Sequence, residues 1–285
     1  MDWASILENT AREAVGRQTI IYAIAAIGIN VHFGYTGLLN FGQVGFMAVG
    51  GYTVAISVNT FHMPLLLAIV VGLGASVVLA LLLGLPTLRL RADYLAIVTI
   101  AAGEIFRTIM RAPAWRATTG GANGISSFSG TFSDVNPFPN GQYGFGPWRY
   151  SEKGLWTLVV GWTCVILITW LVAVLMRSPW GRVLRGIRED EDATRSLGKN
   201  AYGYKMQSLV LGGAIGGAAG IFWAVAQNSV IPGNFRPETT FLIYTALIIG
   251  GTARTWGPVV GSMVLWSVIV FTDGVLREAH NSGAI

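Results

Sequence analysis

The sequence predicts an all-α, polytopic transmembrane helix bundle of about eight spans, some of them broken by glycine. Three observations carry that expectation. Apolar residues make up 53% of the 285 and charged residues only 12%, more apolar surface than one soluble core buries. The apolar residues are gathered into stretches of span length, since crossing roughly 30 Å of hydrocarbon takes about 20 residues of helix. The 37 glycines suit helices that approach one another closely in lipid.

Taken in order, the candidate spans cover residues 18–34, 41–58, 64–85, 94–110, 155–176, 204–226, 239–250 and 258–272 within a single domain, 1–285. Two connections stand out. Residues 112–154 are rich in Gly, Ser, Thr, Asn, Pro and aromatics, the composition of turns and irregular structure. Residues 177–203 are compact and charged. From Arg177 to Lys205 there are seven basic residues (Arg177, Arg182, Arg185, Arg188, Arg195, Lys199 and Lys205), against Arg116, Arg149 and Lys153 in the longer first connection. Basic residues collect on the cytoplasmic side, so 177–203 is expected inside and 112–154 outside. Counting spans then puts the link with Arg89 and Arg91 inside and both termini outside. The net charge of +5 reads as orientation, not as nucleic-acid binding. The N-terminal residues lack the basic start, apolar core and small-residue cleavage site of a signal peptide, so the spans are expected to direct insertion. The lone Cys164 excludes an internal disulfide and a thiolate metal cluster.

Polar groups inside spans are costly and mark candidate positions on a solute path. Asn30, His32, Gly34, Thr36, Gly37, Asn40 and Gln43 surround a glycine break in the first hydrophobic region, and a second broken stretch covers residues 245–262. Paired glycine-interrupted segments point to a transport site, because unwound backbone at membrane depth survives where it lines a cavity or is buried. The alternative is that the glycines serve close packing and the polar side chains satisfy backbone groups freed at the break. Glu104, one turn before Arg107, is either a path residue or half of an internal ion pair. Thr119, Gly120, Gly121 and Asn123 are expected at the external mouth, to receive substrate or its carrier or to form a plain turn.

The charged connection has internal structure of its own. Ser178 and Pro179 make a helix start, with a capping hydroxyl and a preset φ. Leu184 and Ile187 share a face. Asp190 offers a second N-cap, with Glu191 and Asp192 at the positive end of the new helix. Ala193 and Leu197 lie four apart, and Gly198 stands where a left-handed cap belongs. The acidic run 189–192 disfavours lying on an anionic leaflet, leaving a passive clamp or a helix that docks on a partner.

Five stretches in order resemble the inner-membrane permeases of branched-chain amino-acid ABC importers, the LivM-type subunits. They are GYTGLLNFGQVGFMAVGGYT from Gly34, LRLRADYLAIVTIAAGEIFR from Leu88, TTGGANGI from Thr118, SPWGRVLRGIREDEDATRSLG from Ser178 and IIGGTARTWGPVVG from Ile248. The resemblance implies a subunit that pairs with a second related permease, sits on two cytoplasmic ATPases and receives solute from an external or periplasmic binding protein at a bacterial inner membrane. It identifies residues 177–203 with the family's coupling loop, carried here by Arg185, Arg188, Glu189, Asp190, Glu191, Ala193, Thr194, Leu197 and Gly198. Branched-chain or other small neutral amino acids are the implied cargo. Urea or a short amide is the alternative, and an ion-coupled carrier using Glu104 is a further one. Many relatives carry one more apolar helix before the first motif and another after the region matching residues 275–280. No phosphate loop of the form G-x-x-x-x-G-K-[ST], H-E-x-x-H or G-x-S-x-G occurs, so no catalytic or metal residue is expected, and ATP and Mg belong to the partner subunits.

Overall fold

The computed structural model describes residues 3–88, 92–144 and 148–281. Arg89 and Arg91, expected on the link inside, lie outside the described residues. The helices are α1 (Trp3–Ala14), α2 (Arg17–Ile29), α3 (Gln43–Asn59), α4 (Leu65–Thr87), α5 (Ala92–Arg111), α6 (Arg116–Thr119), α7 (Gly130–Asp134), α8 (Glu152–Arg177), α9 (Pro179–Glu189), α10 (Glu191–Ser196), α11 (Ala201–Gln227), α12 (Pro237–Gly250) and α13 (Gly257–Asn281). Among them α2, α3, α4, α5, α8, α11, α12 and α13 correspond to the expected spans. Five helical runs are long and apolar enough to cross a membrane by length and composition: 3–35, α4, α8, α11 and α13. The 14 residues of α12 rise only about 21 Å, short of the hydrocarbon thickness.

The bundle is layered. Helix α2 is buried over nearly its whole length, and α11 and α3 pack against it and against each other. Their apolar residues run all round the helix, the pattern of a fully enclosed element. Small residues make the close approach: a Cβ on Gly50 of α3 would stand 2.5 Å from the Gly217 carbonyl of α11. Around this core lie α4, α8 and α13, which turn Leu66, Val70, Leu82, Ile166, Trp170 and Val268 outward. Such outward apolar faces match a lipid environment.

Helix α1 has no counterpart in the expected spans. Its pattern, WASILENTAREA, is amphipathic: Ile6 is buried against Gly274 of α13, while Trp3 and Leu7 are exposed. Gly16, with extended φ and ψ, separates it from α2.

Residues 112–144 and 148–151 pack over one end of the bundle. Strand β1 (Ile125–Ser126) pairs with a later strand (Ser229–Val230) that follows α11, and a second ribbon joins residues 142–143 to 150–151. Asn228, in the left-handed region at the end of α11, accepts from the Ser129 backbone N–H at 2.7 Å and from its hydroxyl at 2.8 Å. Helices α9 and α10 lie at the opposite end of α8 and α11.

Candidate translocation path and docking segment

After Ile29 the second helix widens into a π-turn, Asn30–Tyr35, and then runs without regular structure to Gly42 before α3 begins. A widened turn leaves backbone groups unpaired, and burial makes each of them expensive at about 1–3 kcal/mol if unsatisfied. The sequence answers them one by one. The Leu38 N–H reaches the His32 carbonyl at 2.7 Å, and the Gly37 N–H reaches Phe33 at 3.0 Å. Asn40 Oδ1 accepts from the Gly42 N–H at 2.9 Å, Thr99 Oγ1 from the Phe41 N–H at 3.2 Å, and Thr240 Oγ1 from the Val44 N–H at 3.2 Å. The Tyr244 hydroxyl donates to the Asn40 carbonyl at 2.8 Å.

Gln43 is wholly buried and holds three elements together. Its amide nitrogen donates to the Ala25 carbonyl of α2 at 3.2 Å and faces the Gly212 carbonyl of α11 at 3.4 Å. Its Oε1 stands 3.2 Å from His32 Nε2, which is also 3.3 Å from Asn40 Nδ2. Protonated at that nitrogen, the imidazole donates to Gln43; unprotonated, it accepts from Asn40. Thr36 and Ser208, their hydroxyls 2.7 Å apart, share the Val31 carbonyl at 3.0 and 3.1 Å.

Asn30 joins the two glycine-interrupted stretches. It donates to the Arg254 carbonyl at 2.9 Å and accepts from the Ala253 N–H at 2.8 Å. Gly34 makes room for this clamp, since any Cβ there would overlap Asn30 Oδ1. Asn30, Gly34, Thr36, Asn40 and Gln43 are therefore packed and hydrogen-bonded. Thr36 and Gly37 border a cavity of about 190 Å³ that they share with Leu88, Ile187, Arg188 and Lys205.

Arg188 is the bridge from the charged connection to this break. Its Nη1 donates to the Gly34 carbonyl, and its Cγ lies 3.3 Å from where a Gly37 Cβ would stand, at φ +75°. Helix α9 buries Gly181, Leu184 and Ile187 against the end of α8 and the start of α11, with Trp180 Nε1 donating to Gln207 Oε1 at 2.7 Å. Arg185 closes the end of α8 by donating to the Met176 carbonyl at 3.1 Å.

One detail of this segment, the cap of α9, differs from expectation. The Ser178 hydroxyl does not cap α9; it donates back to the Leu175 carbonyl at 2.6 Å, leaving Pro179, which needs no partner, to open the helix. Ala193 and Leu197 do not pack inward. Both are exposed, Leu197 by 80%, and Thr194 is the buried residue of α10. The second cap is as expected: Asp190 Oδ1 accepts from the Ala193 N–H at 2.9 Å, and Gly198 ends the turn at φ +76°. Glu191 pairs with Arg195 at 2.6 Å and with Lys205 of α11, while Glu189 is exposed.

Glu104 and Arg107 form the ion pair that their spacing allows, with Nε to Oε2 at 2.8 Å. The pair does not lie inside the bundle. The Glu104 side chain is 40% exposed, beside the outward-facing Ile97, Ile105 and Ile109 of α5. Just past the C-terminal end of α5, Thr119 donates to the Met110 and Trp115 carbonyls, 2.9 Å from each, and accepts from the Gly121 N–H at 3.2 Å. Gly120 and Gly121, both at positive φ, border an open hollow of about 250 Å³ with Asn123, Arg111 and Arg116.

Residues 12–283 match the family described as the permease component of branched-chain amino acid transport systems. The chain belongs to that family. It is similar to the high-affinity branched-chain amino acid transport system permease protein LivM of Salmonella typhimurium, 32% identical over 265 residues, 88% of this chain and 61% of that protein. LivM of Escherichia coli is 33% identical over 262 residues, 87% of this chain and 60% of its own length. A probable LivM of Methanocaldococcus jannaschii is 29% identical over 291 residues, 89% of this chain and 79% of that protein. The permease thus spans about three fifths of the first two relatives. No solved structure matches it.

The sequence located the break and the charged connection but not the contacts that close them. The side chains of Thr99, Ser208, Thr240 and Tyr244 all reach the break from distant positions. Their only local signal is a polar or aromatic side chain within an apolar run.

Proposed function

We propose that this chain is the membrane-spanning subunit of an ATP-driven importer in a bacterial cytoplasmic membrane, carrying branched-chain or other small neutral amino acids delivered by an external binding protein. A second, related permease and two ATPases complete the machine, with ATP and Mg held by the ATPases. The observation that carries the reading is the rigid tie between helix α9 and the broken helix through Arg188 and Gly34. A docked α9–α10 pair moved by ATPase closure would displace the break itself, and packed bundles answer such a push by switching between discrete arrangements. The exposed Leu197, Ala193, Glu189 and Asp192 form the face offered to an ATPase cleft.

Solute passes along the outward face of α5, where the second permease covers Glu104 and Arg107. An ion pair facing lipid is costly, whereas one facing a wet seam between subunits is not. Glu104 and Arg107 then offer transient partners to a zwitterion, and the neighbouring isoleucines offer apolar wall to its side chain. Thr119, Gly120, Gly121 and Asn123, beside Arg111 and Arg116, form the external mouth. Reconstitution of the complete complex with its binding protein, followed by uptake of labelled leucine and labelled urea, tests the cargo: leucine is taken up, and urea uptake without leucine uptake overturns the assignment.

A further inference from the structure

A hollow of about 420 Å³ opens where the last turn of α1, the start of α2, the start of α8 and the end of α11 meet. Arg12, Arg17 and Lys153 border it with a single carboxylate, Glu13. None of these three cations forms an ion pair with a described residue; Arg12 instead lies over the Tyr150 ring at 4.9 Å. A second hollow of about 320 Å³ shares Glu13 and Arg17 with the first and continues between α2 and α13 past Ile21 and Val270.

Buried polar atoms without partners single out this place. The Tyr150 hydroxyl, Gln18 Oε1 and Trp266 Nε1 are all buried and unpaired among the described residues, and all three belong to side chains bordering the joined hollows. Buried polar groups are normally satisfied, so three together call for an occupant with several polar atoms. Uncompensated cations call for an anionic one. The outer part is polar and cationic, the inner part largely apolar, and the whole sits at the ends of the spans beside an amphipathic helix that exposes Trp3 and Leu7. That is the level at which headgroups lie.

We propose that the joined hollows bind one glycerophospholipid, with its phosphate on Arg12, Arg17 and Lys153, a headgroup ammonium on Glu13, and its glycerol end against Ile21 and Val270. Phosphoethanolamine carries both charges and fits both groups. The Tyr150 hydroxyl donates to a phosphate oxygen, and Trp266 Nε1 donates to an ester carbonyl deeper in. Free phosphate would fill the outer part alone. The lipid would lock α1 across α13 on the side of residues 112–154.

Native mass spectrometry of the full chain, stripped of lipid and titrated with phosphatidylethanolamine, phosphatidylglycerol or inorganic phosphate, tests the site. One phosphatidylethanolamine binds, and millimolar phosphate does not displace it. Arg17→Gln with Lys153→Gln weakens binding at least about tenfold, as loss of two charge-assisted bonds requires, whereas Arg17→Lys with Lys153→Arg retains it. Glu13→Gln removes the preference for phosphatidylethanolamine over phosphatidylglycerol. Unchanged binding in the neutralised pair, equal loss in the charge-retaining pair, displacement by phosphate, or unchanged selectivity in Glu13→Gln would each overturn the proposal.

Discussion

Arg188 on helix α9 donates from its guanidinium to the main-chain carbonyl of Gly34, inside the π-turn that ends the most buried helix of the bundle. The donor stands on a short helix at one end of the molecule, and the acceptor stands at the break on which α2, α11, α12 and the 251–256 turn converge. A charge-assisted bond of this kind contributes about 1.5–3 kcal/mol, enough to keep the two elements moving as one. Arg188→Ala should therefore leave the importer assembled and its ATP hydrolysis nearly unchanged, while solute uptake falls at least about tenfold. Parallel measurement of hydrolysis and uptake in proteoliposomes checks this, and a proportional loss of both would refute it.

Gly198 ends α10 at φ +76°, with open space where a Cβ would stand. Strain rather than collision is what a side chain meets there, at about 1–2 kcal/mol. Gly198→Asp should thus leave the protein inserted but shift the exit of α10, uncoupling hydrolysis from transport. Membrane fractionation with uptake assays reads the outcome, and undiminished transport contradicts the docking role of this turn.

Asn30 holds the 251–256 turn through two hydrogen bonds, to Ala253 and Arg254. Asn30→Ala strands both backbone groups, a loss of about 2 kcal/mol. Equilibrium unfolding in detergent should show that loss, with the exposed Asn59→Ala as an unaffected control. Equal stability of the two variants would mean that the clamp is incidental.

Eight apolar helices were legible because long apolar stretches have few alternatives in a chain so poor in charge, although among the described residues only five helical runs have the length and composition of a span. Helices α9 and α10 were legible from caps: Asp190 and Gly198 fall where their side chain and φ require. Helix α1 escaped notice because a span-length ruler passes over twelve residues with one buried position, Ile6. At the break, local sequence shows which residues are polar but not what they bond. The roles of Gln43 and Asn30 depend on carbonyls of Gly212 and Arg254, which only tertiary packing brings within reach. The same limit explains Glu104: its spacing to Arg107 is local, but its exposure on α5 is set by which neighbours pack on that helix.

The proposed sidedness rests on the basic residues of 177–203 and is open to a labelling test. In a Cys164→Ser background, a cysteine at Asn140 should react with a membrane-impermeant maleimide on intact cells, and one at Lys199 only after permeabilisation. The reverse pattern would invert the bundle and place α9 and α10 away from any cytoplasmic ATPase.

In the proposed function, ATP acting through α9 drives passage through this chain. The initial rate of labelled leucine uptake into sealed proteoliposomes holding the complete complex, with binding protein and solute on one side and ATP on the other, tests it most directly. Uptake should require ATP and fall at least about tenfold in Arg188→Ala. Uptake that persists without ATP or ATPase subunits, driven by an ion gradient and abolished by Glu104→Gln, would contradict it.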